Sequence, residues 1–189
     1  MRKGLSKDPK YAELMGEDII GIYLSTEPFC LLQQATEDDE PKLRRFVNHQ
    51  EDIHDPRLIN QGEHGMVILV DIKGSEYAVK IFKHWKQPGP VFYLYDVAIY
   101  TSPLAHECRA YARLDSRAEN GTWAVMCYGW MKLTDAHFKV LGDVTDTSSL
   151  SRWAIIKEYR PVPTGPLDIP TIFANFTVPQ KARILPQDV

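Results

Sequence analysis

The sequence predicts an α+β domain in which a five-stranded antiparallel sheet packs against one long helix. Apolar and β-branched residues flank a short glycine-containing turn at Lys73–Glu76, a pattern typical of a β-hairpin. Between Pro103 and Arg117 apolar residues recur every three or four positions, as they do on one face of a helix. Two further stretches with strand-like patterns, 122–128 and 152–159, follow that helix.

Length and composition limit the classes of protein to which this chain can belong. Its 189 residues, 44% hydrophobic and 25% charged, fit one domain with a buried core and terminal extensions. A net charge of -3 argues against nucleic acid as the main partner. Residues 1–7 lack the apolar run of a secretion signal, and no stretch approaches the roughly 18 apolar residues of a membrane span. We therefore expect an intracellular protein of the nucleus or cytoplasm.

The three cysteines point to a reducing compartment. Cys30, Cys108 and Cys127 are odd in number and show no Cys-x-x-Cys spacing. Reduced and mostly buried thiols are the simplest interpretation. We expect no metal site.

The chain divides into three predicted parts: an extension over 1–40, a folded domain over 41–160 and a proline-rich tail over 161–189. Within the extension, residues 11–24 show a partial amphipathic helix pattern that two glycines weaken. A local cap on the core is favoured there over a partner-binding helix. An acidic run ends at Pro41, where the folded core is expected to begin.

One lysine within the predicted hairpin is the first functional signal. Strand alternation places Ala78, Lys80 and Phe82 on one face of the sheet. A lysine in such an apolar strand must lose its hydration or find an anionic partner.

The stretch after the hairpin is basic and aromatic. Residues 83–86 combine lysines with a histidine and a tryptophan, and 91–100 hold four more aromatic side chains. The second stretch predicts an extra strand or a loop folded over the next helix. Such residues can stack on nucleic-acid bases, but packing is the favoured interpretation because no wider basic surface accompanies them.

The helix supplies a partner for the hairpin lysine. Ser102 and Pro103 form a typical helix start, and the helix is predicted to run to about Arg117. Glu107 lies beside its apolar stripe, which consists of Leu104, Cys108, Tyr111 and Leu114. We expect Glu107 to pair with Lys80, the alternatives being Arg109, Arg113 or solvent.

The remaining stretches complete the predicted order of elements. The strand over 122–128 can continue to 133, and the polar stretch 134–150 is predicted to be a surface loop. The strand over 152–159 follows. Four prolines between 161 and 170 then indicate a linker, with a short apolar island at 171–176 and a tail from 179.

The glycines before the hairpin carry a resemblance to a known family. Gly62, Gly65 and Val67, with Lys80 on the next strand, resemble the glycine-rich loop and strand lysine of protein kinases. Asn60 stands where that pattern has its first glycine. The order strand, strand, strand, helix, strand, strand is that of a kinase N-lobe with its αC helix. The resemblance thus implies a kinase N-lobe-like antiparallel five-stranded sheet with one αC-type helix.

The resemblance also implies roles for individual residues in nucleotide binding. Val67 and Ala78 would enclose an adenine, and Lys80 would reach the phosphates while paired with Glu107. Lys157 would guard the back of the pocket, and the hinge that follows would bond the adenine edge through its backbone. The implied nucleotide-binding residues are Gly62, Gly65, Val67, Ala78, Lys80, Glu107, Glu158 and Arg160.

Two stretches carry a narrower resemblance. Residues 107–114 and 124–130 resemble a fungal family of kinase-like proteins that is named after a kinetochore subunit. The resemblance implies a protein partner, either a kinetochore-type assembly or a separate lobe.

The motifs for phosphoryl transfer do not occur in this sequence. Kinases need a His-Arg-Asp loop and an Asp-Phe-Gly motif, and neither string is present. Few residues follow Arg160, so a C-lobe is not expected. The predicted function is therefore that of a pseudokinase N-lobe, a binding or scaffold module with at most weak ATP binding and no catalytic residue. The alternative is a truncated part of a protein-kinase-like phosphotransferase.

Overall fold

The computed structural model describes residues 16–31, 35–36, 38–85, 95–161 and 177–182. The strands are β1 (Leu24–Pro28), β2 (Leu43–Arg45), β3 (His54–Gln61), β4 (Gly65–Ile72), β5 (Ser75–Lys83), β6 (Cys127–Lys132) and β7 (Leu150–Glu158). The helices are α1 (Tyr95–Thr101), α2 (Pro103–Ser116), α3 (Asp135–Leu141) and α4 (Thr177–Ala182), and a 3-10 turn covers Glu17–Ile19.

The strands form one mixed sheet in the order β1-β2-β6-β7-β5-β4-β3. The pairs β1–β2 and β2–β6 are parallel, and the other neighbours are antiparallel. The α+β class is confirmed, whereas the predicted five-stranded antiparallel sheet is wrong, because the sheet has seven strands and is mixed. The two added strands are too short to show a clear alternation of apolar and polar residues.

The central hairpin agrees with the prediction. Strands β4 and β5 pair continuously from Gly65 opposite Phe82 to Ile72 opposite Ser75. Lys73 and Gly74 form the turn with φ of 56° and 76°, as a two-residue hairpin turn with positive φ at both positions requires.

The two faces of the sheet bury separate apolar clusters. Phe82 and Ile155 lie on the face that packs against α2, which we call the α2 face. Val79 and Ile81 lie on the opposite face together with Ile156. The predicted alternation along β5 is therefore confirmed, and Lys80 belongs to the α2 face.

Helix α2 begins where the sequence predicts it. The Ser102 hydroxyl accepts a hydrogen bond from the Ala105 N–H at 3.1 Å, and Pro103 follows as the first helical residue. The predicted apolar stripe is buried throughout, in Leu104, Cys108, Tyr111 and Leu114. A mostly buried ion pair between Arg44 and Asp115, 2.6 Å apart, joins β2 to the end of this helix.

Helix α3 covers the opposite face, where the sequence predicted a surface loop over 134–150. Thr134 and His137 form a reciprocal capping box at its start. His137 is buried, and its Nε2 lies 3.0 Å from the Glu51 carbonyl oxygen. Leu141 enters the apolar cluster beneath. Tertiary packing thus stabilises a helix of only seven residues, too short to be stable by itself.

Other predicted elements differ in type or position. Strand β6 begins at Cys127 rather than at 122, and α1 lies where an extra strand or loop was predicted. Gly129, with φ of 110°, lets β6 approach β2 closely, because an added Cβ would lie 2.3 Å from the Arg44 carbonyl oxygen. Within 16–24 a 3-10 turn replaces the predicted α-helix, and α4 lies in the predicted tail.

The sheet includes β1, which precedes Pro41 and was not predicted. The three-part division of the chain stays a prediction. The predictions for 1–15, 86–94, 162–176 and 183–189 lie outside the described residues. Among the helices that are described, none is both long and apolar enough to cross a membrane.

Candidate functional site

Glu107 on α2 is the centre of a buried group of charges. Its Oε2 accepts a hydrogen bond from the Lys80 ammonium, so the predicted Lys80–Glu107 pair is confirmed. Its Oε1 lies 2.5 Å from Nζ of Lys157, outside hydrogen-bond geometry, so this contact is an ion pair. We call these three side chains the Lys–Glu–Lys cluster. The glutamate side chain is 5% exposed, against 28% for Lys80 and 14% for Lys157.

The alternative partners of Glu107 are engaged elsewhere. Arg109 donates to the Tyr100 carbonyl oxygen at 3.5 Å, and its guanidinium lies 5.5 Å from the centroid of the Tyr100 ring. Arg113 donates to the backbone oxygens of Asp38 and Asp39 at 3.1 and 2.8 Å. The Glu107 carboxylate thus contacts the lysines of the sheet rather than the arginines of its own helix.

The contact of Lys157 with Glu107 was not predicted. Lys157 lies on β7, and its Nζ also lies 4.7 Å from the centroid of the Tyr111 ring. Burial lowers the pKa of Lys157, but Glu107 and Tyr111 more than offset it and raise that pKa above its ordinary value. The sequence did contain one sign of this contact, because Lys157, like Lys80, is a lysine within an otherwise apolar strand.

Groups around the cluster remain protonated at neutral pH. Burial raises the pKa of Tyr111 to about 12, although Lys157 opposes the shift. Burial and the neighbouring Glu107 also raise the pKa of Cys108 well above its ordinary value. The cluster charge therefore comes from its two ammonium groups and one carboxylate.

The strand register places the predicted adenine-contacting residues beside the cluster. Val67 lies opposite Lys80 across β4 and β5, and Ala78 lies opposite Lys157 across β5 and β7. Directly opposite residues project to the same face of a sheet. Val67 and Ala78 therefore share the α2 face with both lysines. Val67 is partly exposed, and Ala78 is buried.

The two glycines of the predicted loop have different surroundings. A Cβ on Gly65 would lie 2.3 Å from the Ile81 carbonyl oxygen, so close strand packing already requires glycine there. A Cβ on Gly62 would meet nothing closer than 3.9 Å. The Gly62 carbonyl oxygen accepts a hydrogen bond from Lys83 Nζ at 2.7 Å. A Cβ would therefore fit at Gly62 but not at Gly65.

The predicted hinge follows Lys157 at the end of β7. The Glu158 N–H donates to the Met126 carbonyl oxygen at 2.8 Å, so this donor is engaged within the protein. The Glu158 carboxylate accepts a hydrogen bond from exposed Arg160 at 2.8 Å. Glu158 and Arg160 thus follow Lys157 closely in sequence, and their side chains pair with each other.

The cluster does not line either of two surface cavities at the other end of α2. One, of about 610 Å³, lies between Arg113, Arg117, Lys181 and the segment near Asp38. The other, of about 480 Å³, lies beside Asp115. Across the described parts of the chain, no three His, Cys, Asp or Glu side chains are grouped as a metal ion would require. The three cysteines are free, and Cys30 is exposed.

Comparison with known proteins identifies the family. The family model described as kinetochore Sim4 complex subunit FTA2 matches residues 26–189, a range that contains the whole cluster. No curated protein and no solved structure matches the chain. The match agrees with the kinetochore-type family that stretches 107–114 and 124–130 resemble. Because the match covers most of the sequence, the chain belongs to the kinetochore Sim4 complex subunit FTA2 family.

Proposed function

We propose that this chain acts in the nucleus as a protein-binding scaffold subunit of a kinetochore assembly, built on a catalytically inactive kinase-like N-lobe. The family match over residues 26–189 is the observation that carries the scaffold role. Subunits of stable complexes work by presenting surfaces to other proteins, so a protein partner follows from membership of such a complex.

The kinase-like part of the proposal is supported by topology and by one ion pair. Strands β3, β4, β5, β7 and β6 are consecutive antiparallel neighbours, and α2 lies between β5 and β6 in the chain. Lys80 in the third of these strands pairs with Glu107 on the helix, as the resemblance implies. Strands β1 and β2 and helix α3 are additions to that plan.

The surroundings of Lys80 fit a phosphate better than a complete nucleotide. Its side chain is partly exposed, and Val67 and Ala78 lie on the same face of the sheet, as adenine binding would require. However, Lys157 brings a second cation to the back of the site. Binding sites for small molecules usually enclose most of the ligand. We therefore retain the eight predicted nucleotide-binding residues as a proposal with at most weak ATP binding.

Reconstitution tests the scaffold role. The chain would be co-expressed with the other subunits of a Sim4-type complex and separated by size-exclusion chromatography. We expect it to co-elute with the complex, and Lys73→Met, a change in an exposed turn, to leave co-elution intact. A chain that elutes apart from every subunit would rule the role out.

Localisation is a second test of the same proposal. A fluorescently tagged chain should concentrate at kinetochores within the nucleus. A diffuse cytoplasmic signal that persists through the cell cycle would contradict it.

The Lys80–Glu107 pair also favours a second candidate, the phosphotransferase fragment considered above. Incubation of the chain alone with radiolabelled ATP and a protein acceptor tests it. We expect no transfer, because the catalytic-loop and metal-binding motifs do not occur in the sequence. Transfer that Lys80→Met abolishes would establish the second candidate instead.

A further inference from the structure

The Lys–Glu–Lys cluster carries more positive than negative charge. Two ammonium groups, from Lys80 and Lys157, face the single carboxylate of Glu107. Among the described residues, Lys80 donates a hydrogen bond to Glu107 alone, although an ammonium has three N–H donors. The cluster therefore has a net charge of about +1 and spare donors.

The excess charge lies at the exposed member of the cluster. Lys157 is the more buried lysine, and it contacts both the carboxylate and the Tyr111 ring. The Lys80 side chain is twice as exposed as that of Lys157, and its Nζ lies over the Phe82 ring, 5.3 Å from the ring centroid. An ammonium at the edge of an apolar face attracts an anion more strongly than one in open water.

We propose that the cluster binds a phosphate-type anion, either pyrophosphate or the phosphates of a nucleotide, without a divalent metal ion. Lys157 acts as a positioning residue: it neutralises one oxygen of Glu107 and so leaves the Lys80 charge for the ligand. A phosphoryl group suits this site because it offers several oxygens to a compact point charge. The inference rests on the proposed nucleotide-binding role of the α2 face.

The second lysine explains why no metal ion is needed. In a kinase site the divalent cation neutralises phosphate charge, while the lysine is already balanced by its glutamate. Here the second ammonium balances that glutamate instead. The two cluster variants below therefore change the affinity for an anion in opposite directions.

Calorimetric titration tests this inference with sodium pyrophosphate and, separately, with ATP, each in excess EDTA. Lys157→Met makes the cluster neutral, and we expect its affinity to fall about tenfold or more. Glu107→Gln raises the net charge to about +2, and we expect the affinity to rise about tenfold. Lys73→Met removes an equal charge from a distant exposed turn and should leave affinity unchanged. Circular dichroism would establish that each variant is folded under the titration conditions.

Several outcomes would overturn the inference. Binding that requires Mg²⁺ would overturn it, and so would equal affinity of the wild type and Lys157→Met for pyrophosphate. Binding of a glutamate-rich peptide by a chain that does not bind pyrophosphate would overturn it as well. Binding of ATP but not pyrophosphate would also overturn it, because the base would then supply the affinity. If the chain co-elutes with the Sim4-type complex but fails these titrations, the scaffold role stands and only the anion site falls.

Discussion

The two faces of the central sheet differ in what their side chains do, although the same strands build both. On the opposite face, Val79, Ile81 and Ile156 are fully apolar neighbours beneath α3. On the α2 face, the alternate positions of β5 and β7 place Lys80 and Lys157 against a helix. These three residues of the opposite face contribute to stability through apolar burial, whereas the α2 face holds three charged groups at the edge of its core.

Stability alone does not explain the charged group. Removing ions from water costs several kcal/mol per ion, and apolar replacements of a buried ion pair are often neutral or stabilising. A chain selected only for folding has no need of Lys80, Lys157 and Glu107 at these positions. Their presence on one face supports the binding role proposed for that face.

Among the substitutions that compare the two faces, Glu107→Ala has the largest expected effect on stability. The change removes the counter-charge of both lysines, and we expect it to lower the free energy of unfolding by about 3–5 kcal/mol. Urea denaturation would measure the loss. Glu63→Ala, in an exposed loop, is the matched control and should cost about 0.5 kcal/mol or less. A loss under about 1 kcal/mol for Glu107→Ala would mean that both lysines reach solvent freely.

Ile81→Ala applies the same measurement to the apolar face. Ile81 is completely buried, and its truncation should cost about 2–5 kcal/mol through lost burial and a cavity. The milder Ile81→Val should cost about 0.5–1.5 kcal/mol. Neither change should alter affinity for pyrophosphate. A change in affinity with Ile81→Val would show that the two faces are coupled.

The sequence predicted the part of this contrast that depends on local pattern. Lys80 stood out in an apolar strand, and Glu107 stood beside the stripe of an amphipathic helix, so their pairing followed from two local periodicities. Lys157 was different, because its contact with Glu107 depends on β7 pairing beside β5, with Ala78 opposite Lys157. Pairing between strands that are distant in sequence is not encoded in either strand alone.

The elements that the sequence missed have the same cause. Strands β1 and β2 have five and three residues, too few for a period to emerge, and they are defined by their neighbours in the sheet. Gly129 admits β2 beside β6, a close approach that depends on a strand distant in sequence. Helix α3 depends on the His137 contact with Glu51, which is 86 residues away in sequence.

Gly65→Ala sharpens the comparison within the predicted loop. Its Cβ would meet the Ile81 carbonyl oxygen at 2.3 Å, so β4 must shift and stability should fall by about 1–3 kcal/mol. Gly62→Ala meets open space and should change stability by about 0.5 kcal/mol or less. Thermal unfolding of the two variants gives the measurement. Equal losses would mean that the loop, rather than strand packing, requires both glycines.

The smallest expected effect comes from an exposed ion pair that belongs to neither apolar cluster. Arg57 on β3 and Glu76 on β5 lie 2.6 Å apart across the intervening strand β4, and their side chains are 65% and 52% exposed. Water screens such a pair, so a double-mutant cycle with Arg57→Ala and Glu76→Ala should give a coupling of about 0.2–1 kcal/mol. The coupling should shrink further in 1 M salt, where exposed charges interact over only about 3 Å.

The same cycle on Lys157 and Glu107 should give a larger coupling that salt changes little, because burial limits screening there. If both cycles gave equal coupling energies, solvent would screen the charges of the cluster as fully as it screens those of the exposed pair. The excess charge at Lys80 would then be too weak to bind an anion without a metal ion.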